Sequence, residues 1–414
     1  MELDLTGQQA AALEKAQSWL QKHLEGRPAP MVFRFQGAAG TGKTTLAKLL
    51  ASVCRMPIFG APTGKAASEL TRRGCPASTV HQLIYQPMDA AKDKLKELKS
   101  EESVILGQLE TCSPTHHSSL QEQLREVRDK IREEQAAMDR PFFALRTESS
   151  LREADCFFLD EASMVDETMG QDIESFGRPI LAMGDPFQLP PIRGQGYFLG
   201  ENPEVLLTEI HRQALGSPIL ELATMAREGR PLPIGYERDE LQGTARVVTG
   251  RPPAERVTQA DQILCGRNQT RIAINNRCRA LLGRSSAFPE VGDRLVCLKN
   301  DHMYGLANGT IWYVTAVHGT YATGRIVMDL INEDRNRPLF DIEAHTCYFE
   351  GKQPERWAAR DAQHFDFGYA LTVHKAQGSQ WDSVVLFDDW SGSDRRKWLY
   401  TGVTRAAKDL LVVQ

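Results

Sequence analysis

The feature that most constrains the fold is an eight-residue run near the N-terminus. Gly37-Ala38-Ala39-Gly40-Thr41-Gly42-Lys43-Thr44 fits the pattern G-x-x-x-x-G-K-[ST]. Residues 31–36 (MVFRFQ) ahead of it read as a buried strand, and residues 43–53 behind it read as a helix. A strand, a glycine turn and a helix in that order gather backbone N–H groups at a helix N-terminus, which makes an anion cradle. Gly37, Gly40 and Gly42 let the backbone wrap phosphates, with Thr41 and Thr45 in the same cradle. Lys43 supplies a point charge to the β- and γ-phosphates, and Thr44 offers its hydroxyl to Mg²⁺.

A second run complements the first. Phe157-Phe158-Leu159-Asp160-Glu161 is an apolar strand that delivers two adjacent carboxylates at its end. Alone, such a pair is the solvated end of a strand. Behind a phosphate loop it points to hydrolysis of ATP rather than binding alone: Asp160 can hold Mg²⁺, and Glu161 can orient and deprotonate an attacking water. Further apolar runs at 56–61 and 179–184 also end in polar or glycine turns. The repetition predicts an α/β fold with a parallel sheet.

Two stretches break this rhythm. In 88–139, Leu95, Leu98, Ile105 and Leu109 fall near helical spacing, and Leu120, Leu124, Val127, Ile131 and Met138 form a heptad seam. Pro114 lies between the two sets, so the stretch reads as a helical hairpin, either a solvated strut or a wedge or partner-docking arm. In 286–350, apolar and polar residues alternate between glycines, the pattern of a small antiparallel barrel. From 365 onward the texture returns to α/β.

The length of 414 residues suits two or three domains. Forty-nine Lys and Arg against 54 Asp and Glu give a net charge of −5, which argues against a permanent electrostatic clamp on nucleic acid but leaves room for a narrow basic groove. The eight cysteines (Cys54, Cys75, Cys112, Cys156, Cys265, Cys278, Cys297 and Cys347) show no zinc spacing and read as reduced thiols of a cytoplasmic protein. The N-terminus does not read as a signal peptide, and no segment is long and apolar enough for a membrane span, so no membrane partner is expected.

Four further runs follow in order: Asp160-Glu161-Ala162-Ser163, Gly184-Asp185-Pro186-Phe187-Gln188-Leu189-Pro190-Pro191, Ala370-Leu371-Thr372-Val373-His374-Lys375-Ala376-Gln377-Gly378-Ser379 and Tyr400-Thr401-Gly402-Val403-Thr404-Arg405-Ala406. With the phosphate loop they resemble a superfamily 1B helicase, RecD-like or Dda-like, over nearly the whole chain. The resemblance implies two RecA-like P-loop NTPase motor domains, the first over 1–87 and 140–192 and the second over 193–285 and 362–414. The hairpin at 88–139 would be inserted in the first, and an SH3-like β-barrel at 286–361 in the second. An acidic helical hairpin departs from the short β-hairpin that such enzymes carry near this point.

The resemblance also implies roles. Gln9, in Leu5-Thr6-x-x-Gln9, would read adenine, while Thr6 caps a helix. Gln188 would sense the γ-phosphate, Arg405 and Arg212 would act as arginine fingers, and Gln377 and Gly378 would lie close to the γ-phosphate. Pro62, Thr63, Lys65, Thr79, His81, Asn268, Thr372, His374 and Lys375 would line a groove that holds a strand by its phosphates. The implied activity is ATP-dependent, Mg²⁺-assisted translocation on single-stranded DNA with unwinding of forked duplex, in the 5′→3′ sense. RNA as the strand, or a role as ATPase scaffold in a larger complex with a partner on the hairpin, are the alternatives.

Overall fold

The computed structural model describes residues 5–87, 98, 100–102, 104–106, 108, 120, 123–128, 130–131, 143–146, 148–191, 194, 196–200, 202–209, 216–301, 304–321, 324–352 and 362–414. These fall into two compact units, one of residues 1–80 with 151–414 and one of residues 81–150.

The first unit opens with α1 (Gly7–Leu24), whose start is a capping box. The Thr6 hydroxyl accepts from the Gln9 N–H, and the Gln9 carboxamide accepts from the Thr6 N–H. β1 (Val32–Gly37) leads through the glycine loop into α2 (Lys43–Ala51). β2 (Pro57–Ala61), α3 (Gly64–Arg72) and β3 (Ala77–Thr79) follow.

The second unit begins in α4 (Val80–Ile84) and continues into β4 (Tyr85–Pro87), which pairs antiparallel with β5 (Phe143–Leu145). Between these strands, the described residues of 98–108 and 120–131 are helical. Leu98 and Ile105 pack with Leu124, Val127 and Ile131, and Arg128 pairs with Glu102 at 2.7 Å. Leu95, Leu109 and Met138 of the expected seam lie outside the described residues.

Back in the first unit come β6 (Cys156–Leu159), α5 (Glu167–Glu174), β7 (Ile180–Gly184) and β8 (Val205–Leu207). The six strands form one wholly parallel sheet in the order β3-β2-β6-β7-β1-β8. A parallel sheet is covered on both faces, which is why every residue of β6 and β7 is buried. Trp19, Phe33, Phe35, Leu46, Phe158 and Met183 share its core.

The chain goes on through α6 (Pro218–Glu228), β9 (Glu237–Glu240), β10 (Gly243–Val248), α7 (Ala254–Gln259), β11 (Gln262–Cys265) and α8 (Asn268–Leu281). It then builds a smaller antiparallel sheet from β12 (Arg294–Cys297), β13 (Ile311–Tyr321), β14 (Arg325–Asn332), β15 (Pro338–His345) and β16 (Phe365–Phe367). The order is β15-β14-β13-β12-β16. Gln363 bridges to Ala344 in β15 while Phe365–Phe367 pair with β12, so the two edges of this sheet meet within five residues of chain.

The small sheet therefore reaches further along the chain than its alternating texture indicated. Phe365 and Phe367 point into its core, whereas parallel pairing with β11 begins only at Ala370. A buried network fixes the small sheet to α8. The Asp293 carboxylate, fully buried, accepts from Arg279, Arg284 and Tyr369.

β17 (Ala370–Thr372), β18 (Trp381–Phe387), α9 (Arg395–Val403) and β19 (Ala406–Val413) complete the second large sheet, ordered β17-β11-β18-β19-β10-β9. It is parallel except for the edge pair β9–β10. No helix among the described residues is long and apolar enough to cross a membrane.

Candidate active site between two sheets

The first large sheet presents the carboxyl ends of its strands as functional turns, as open α/β sheets do, and the second faces it with the turns that lead into β18 and β19. From the first sheet come the loop after β1, the acidic pair after β6 and Gln188 after β7. From the second come residues 378–380 ahead of β18 and residues 404–405 ahead of β19. They line one cleft of about 480 Å³, whose walls include Gln9, Gly40, Thr41, Gly42, Lys43, Thr44, Thr45, Asp160, Glu161, Gln188, Gly378 and Arg405.

The loop is built for anions. Gly42 sits in the left-handed region at φ 85° and caps α2 with no side-chain acceptor, so the first amides of the helix are left for a ligand. The Lys43 ammonium lies over the loop, donating to the Gly37 and Ala38 carbonyls at 2.7 and 3.0 Å. Gly37 does not line the cleft. It allows a close approach, because a Cβ there would come within 2.8 Å of Leu207 and of the Thr41 hydroxyl.

Glu161 has a left-handed backbone at φ 51°, a conformation that costs a side-chain-bearing residue about 1–3 kcal/mol and persists only where neighbours enforce it. The Asp160 carboxylate accepts from the Glu161 N–H at 2.9 Å, which locks the turn. Burial raises both carboxyls. Lys43 and Arg73 oppose the shift at Asp160, and Arg405 opposes it at Glu161. A carboxylate with a raised pKa beside cations has the character of a general base.

The structure holds several residues that the sequence left unconstrained. Gln9 lines the cleft, but its carboxamide is occupied: it accepts from Thr6 N–H and donates to the Thr41 carbonyl at 2.9 Å. It braces the phosphate loop against α1. The Arg405 guanidinium is buried and donates to the Thr401 and Ser379 carbonyls and the Thr404 hydroxyl. Gln377 does not line the cleft; its amide donates to the Leu189 carbonyl at 2.7 Å. Gln188 Oε1 is buried without a partner among the described residues. Arg212 lies outside the described residues.

The expected strand-binding residues sit at the carboxyl ends of the two strands at one edge of each large sheet. Pro62, Thr63, Lys65 and Thr79 follow or end β2 and β3, while Asn268, Thr372, His374 and Lys375 follow or end β11 and β17. His81 belongs to the second unit, where its ring lies 5.3 Å from that of Tyr85. Gly378 joins the two sets, since a Cβ on it would stand 2.9 Å from the Thr63 hydroxyl, the acceptor that caps α3.

Lys65 is not an open groove cation. It pairs with Glu333 at 2.8 Å and lies 4.1 Å over the Trp381 ring, while Trp381 and Arg294 also approach Glu333. Next to it, Arg72 pairs with Asp334. The turn after β14 thus reaches across to α3, a contact no local pattern announces. Burial lowers Lys65. Burial works to raise Glu333, but Lys65, Arg294 and the Trp381 N–H together carry it below the ordinary carboxylate value. The Lys375 ammonium is pushed down to about 8 by burial and then by Arg271.

The chain can be set beside known proteins on this geometry. Residues 12–247 match the AAA domain model, and residues 367–413 match the UvrD-like helicase C-terminal domain. The chain is 26% identical to the ATP-dependent RecD2 DNA helicase of Deinococcus radiodurans over 89% of its own length, and it spans 45% of that relative's length. Its fold is similar to the Bacteroides Pif1 bound to single-stranded DNA, at TM-score 0.52 and 17% identity over 99% of this chain and 92% of the other. A structure of two Pif1 helicases at forked duplex DNA gives TM-score 0.55 at the same identity and coverage. Beside a UvrD-like helicase C-terminal match on the second sheet, the AAA domain match over more than half of the chain makes this chain a member of the AAA domain family.

Proposed function

We propose that the protein is an ATP-dependent DNA helicase that moves along single-stranded DNA in the 5′→3′ sense and opens forked duplex. The observation that carries this reading is the shared cleft. A triphosphate on the Gly37–Thr44 loop would touch the first sheet through Lys43 and Gln188 and the second through Gly378 and Arg405, so hydrolysis would change how the sheets close. In this reading the two large sheets are RecA-like motor domains and the small sheet is an SH3-like insertion. The 88–139 stretch, whose described residues are helical, is an arm for a fork or a protein partner. Seven free, described cysteines suit a cytoplasmic setting.

The donor set suits ATP and Mg²⁺. The uncapped amides of α2, the Lys43 ammonium and the unpartnered Gln188 Oε1 face one space with two carboxylates. Thr44 and Asp160 would hold Mg²⁺, which when bound supplies charge neutralisation at the phosphates. Glu161 takes the proton of the attacking water, its backbone turn fixing the carboxylate beside Arg405. Arg405 would leave its carbonyl acceptors to meet developing negative charge, and Arg212 is proposed as a second such cation. Gln9 serves the nucleotide by bracing Thr41, and base reading would use its second amide N–H and second Oε1 lone pair.

On the strand side, Thr63, Thr79, Asn268, Thr372 and His374 offer hydroxyl, amide and imidazole groups, while Pro62 shapes the turn after β2. His81 is proposed to act from the second unit. A strand phosphate at Lys65 must exchange with Glu333, which makes strand entry and release of the small-sheet turn one event.

Lys375 gives this reading a pH signature. Its free-state value near 8 means that a phosphate contact must recharge it above that pH. Asp366 works to raise it, Arg271 to lower it, and the neighbouring Cys297 thiol is itself pushed up to about 11. The affinity for single-stranded DNA is expected to fall as pH rises from 7 to 9, by up to about tenfold per unit above 8. In Lys375→Arg, which stays charged, this decline should disappear. Fluorescence anisotropy of a labelled oligonucleotide measures it, and an equal pH slope in both proteins would remove Lys375 from the strand contact.

The experiment that tests the function is steady-state ATP turnover with single-stranded DNA or RNA of equal length. DNA should stimulate strongly and RNA weakly, in keeping with a relative named as a DNA helicase and a structural neighbour bound to single-stranded DNA. Equal or greater stimulation by RNA would overturn the choice of DNA, and none by either would overturn the motor.

A further inference from the structure

We propose that Tyr400 is a positioning residue that ties closure of the cleft to the phosphate loop and to Gln188. The proposal rests on the ATPase reading above. Tyr400 comes from α9 of the second sheet and is only 2% exposed. Its hydroxyl donates to Asp185 Oδ2 at 2.6 Å and accepts from the Ala39 N–H at 2.8 Å. Ala39 lies inside the phosphate loop and Asp185 follows β7, so one oxygen from the second sheet joins two catalytic turns of the first.

Asp185 passes this contact on. Its Oδ1 accepts from the Phe187 N–H at 3.0 Å, and its carbonyl accepts from the Gln188 N–H at 3.2 Å. The Gln188 amide nitrogen lies 3.5 Å from Asp185 Oδ2, while Gln188 Oε1 has no partner among the described residues. Neighbouring bonds strengthen the grip: Leu189 donates its N–H to the Thr401 hydroxyl at 3.0 Å, accepts from Gln377, and packs in the core of the second sheet. When the sheets part, Tyr400 must leave with α9. The Asp185 carboxylate and the Ala39 amide then lose their partner together, and the turn that carries Gln188 loses its brace. Nucleotide contacts from Lys43 and the α2 amides do not pass through Tyr400. Its loss should therefore act on the chemical step rather than on nucleotide binding.

The test is strand-stimulated ATP turnover of the wild type, Tyr400→Phe, Asp185→Asn and the double variant. Phe keeps the ring beside Phe187 and removes only the hydroxyl. Expected for Tyr400→Phe are a kcat at least tenfold lower, with KM for ATP and oligonucleotide Kd both within twofold of wild type. The double variant should fall little below the poorer single variant, because both changes break one chain of contacts. A kcat within twofold for Tyr400→Phe, or losses that multiply in the double variant, would overturn the proposal. If Tyr400→Phe does not fold, Asp185→Asn decides alone: an unchanged kcat overturns the relay and a selective loss of kcat upholds it. A wild type without strand-stimulated turnover would sink the ATPase reading and this inference together, whereas an indifferent Tyr400→Phe beside an active wild type sinks only the inference.

Discussion

Replacement of Lys43 by alanine is expected to lower strand-stimulated ATP turnover by roughly 10²–10³-fold, the scale of losing one preorganised donor to developing charge. The ammonium lies on the Gly37 and Ala38 carbonyls, within the loop whose uncapped helix amides face the cleft. It also helps hold Asp160 and Glu161 in their charged forms against burial. Its removal therefore weakens the triphosphate site and raises two carboxyls at once. Among the described residues Lys43 bonds to carbonyls of its own loop, so the packing around Trp19, Phe33 and Phe35 should survive. Phosphate release at saturating DNA measures the effect, and retention of full turnover would contradict the assignment of the site.

Glu161→Gln should reduce kcat by roughly 10²–10⁴-fold while nucleotide and strand binding persist. Glutamine is the informative choice. It keeps size and polarity, takes the strained φ of 51° no more easily than glutamate, and removes only the ability to accept a proton. Glycine would relieve the backbone and confuse the result. Single-turnover hydrolysis after a separate measurement of nucleotide affinity separates chemistry from binding. A variant with a tenth or more of wild-type kcat would show that another group activates the water.

Both residues were legible before any fold was known because their signals are local: a glycine loop between a strand and a helix, and two carboxylates at the end of an apolar strand. Thr6 was legible as a helix cap for the same reason, whereas the reciprocal bond from the Gln9 carboxamide emerged only in the fold. What Gln9 does next was not legible either, since its bond to the Thr41 carbonyl depends on how α1 packs on the loop. Lys65 read as a free cation because Glu333 is 268 residues away in the chain. Tyr400 sat within a recognised motif but gained its meaning only when α9 met the loops of the other sheet. The small sheet ran on through Phe367 for a related reason, because short apolar strands of a barrel edge and of a parallel sheet share one texture. Charge was the weakest guide. A net −5 is compatible with the proposed strand groove, two of whose cations are half-buried: Lys65, paired with Glu333, and Lys375, pushed down to about 8 by burial.

The central claim is that ATP turnover between the two sheets drives movement along one DNA strand. The most direct measurement is unwinding of forked duplexes that carry a single 5′ or a single 3′ tail, with and without ATP. The account predicts ATP-dependent strand separation from the 5′-tailed substrate, little from the 3′-tailed one, and none from either in Lys43→Ala. Unwinding from the 3′ tail alone would contradict the direction, and no ATP-dependent unwinding of either substrate, beside active ATP turnover, would contradict the coupling itself.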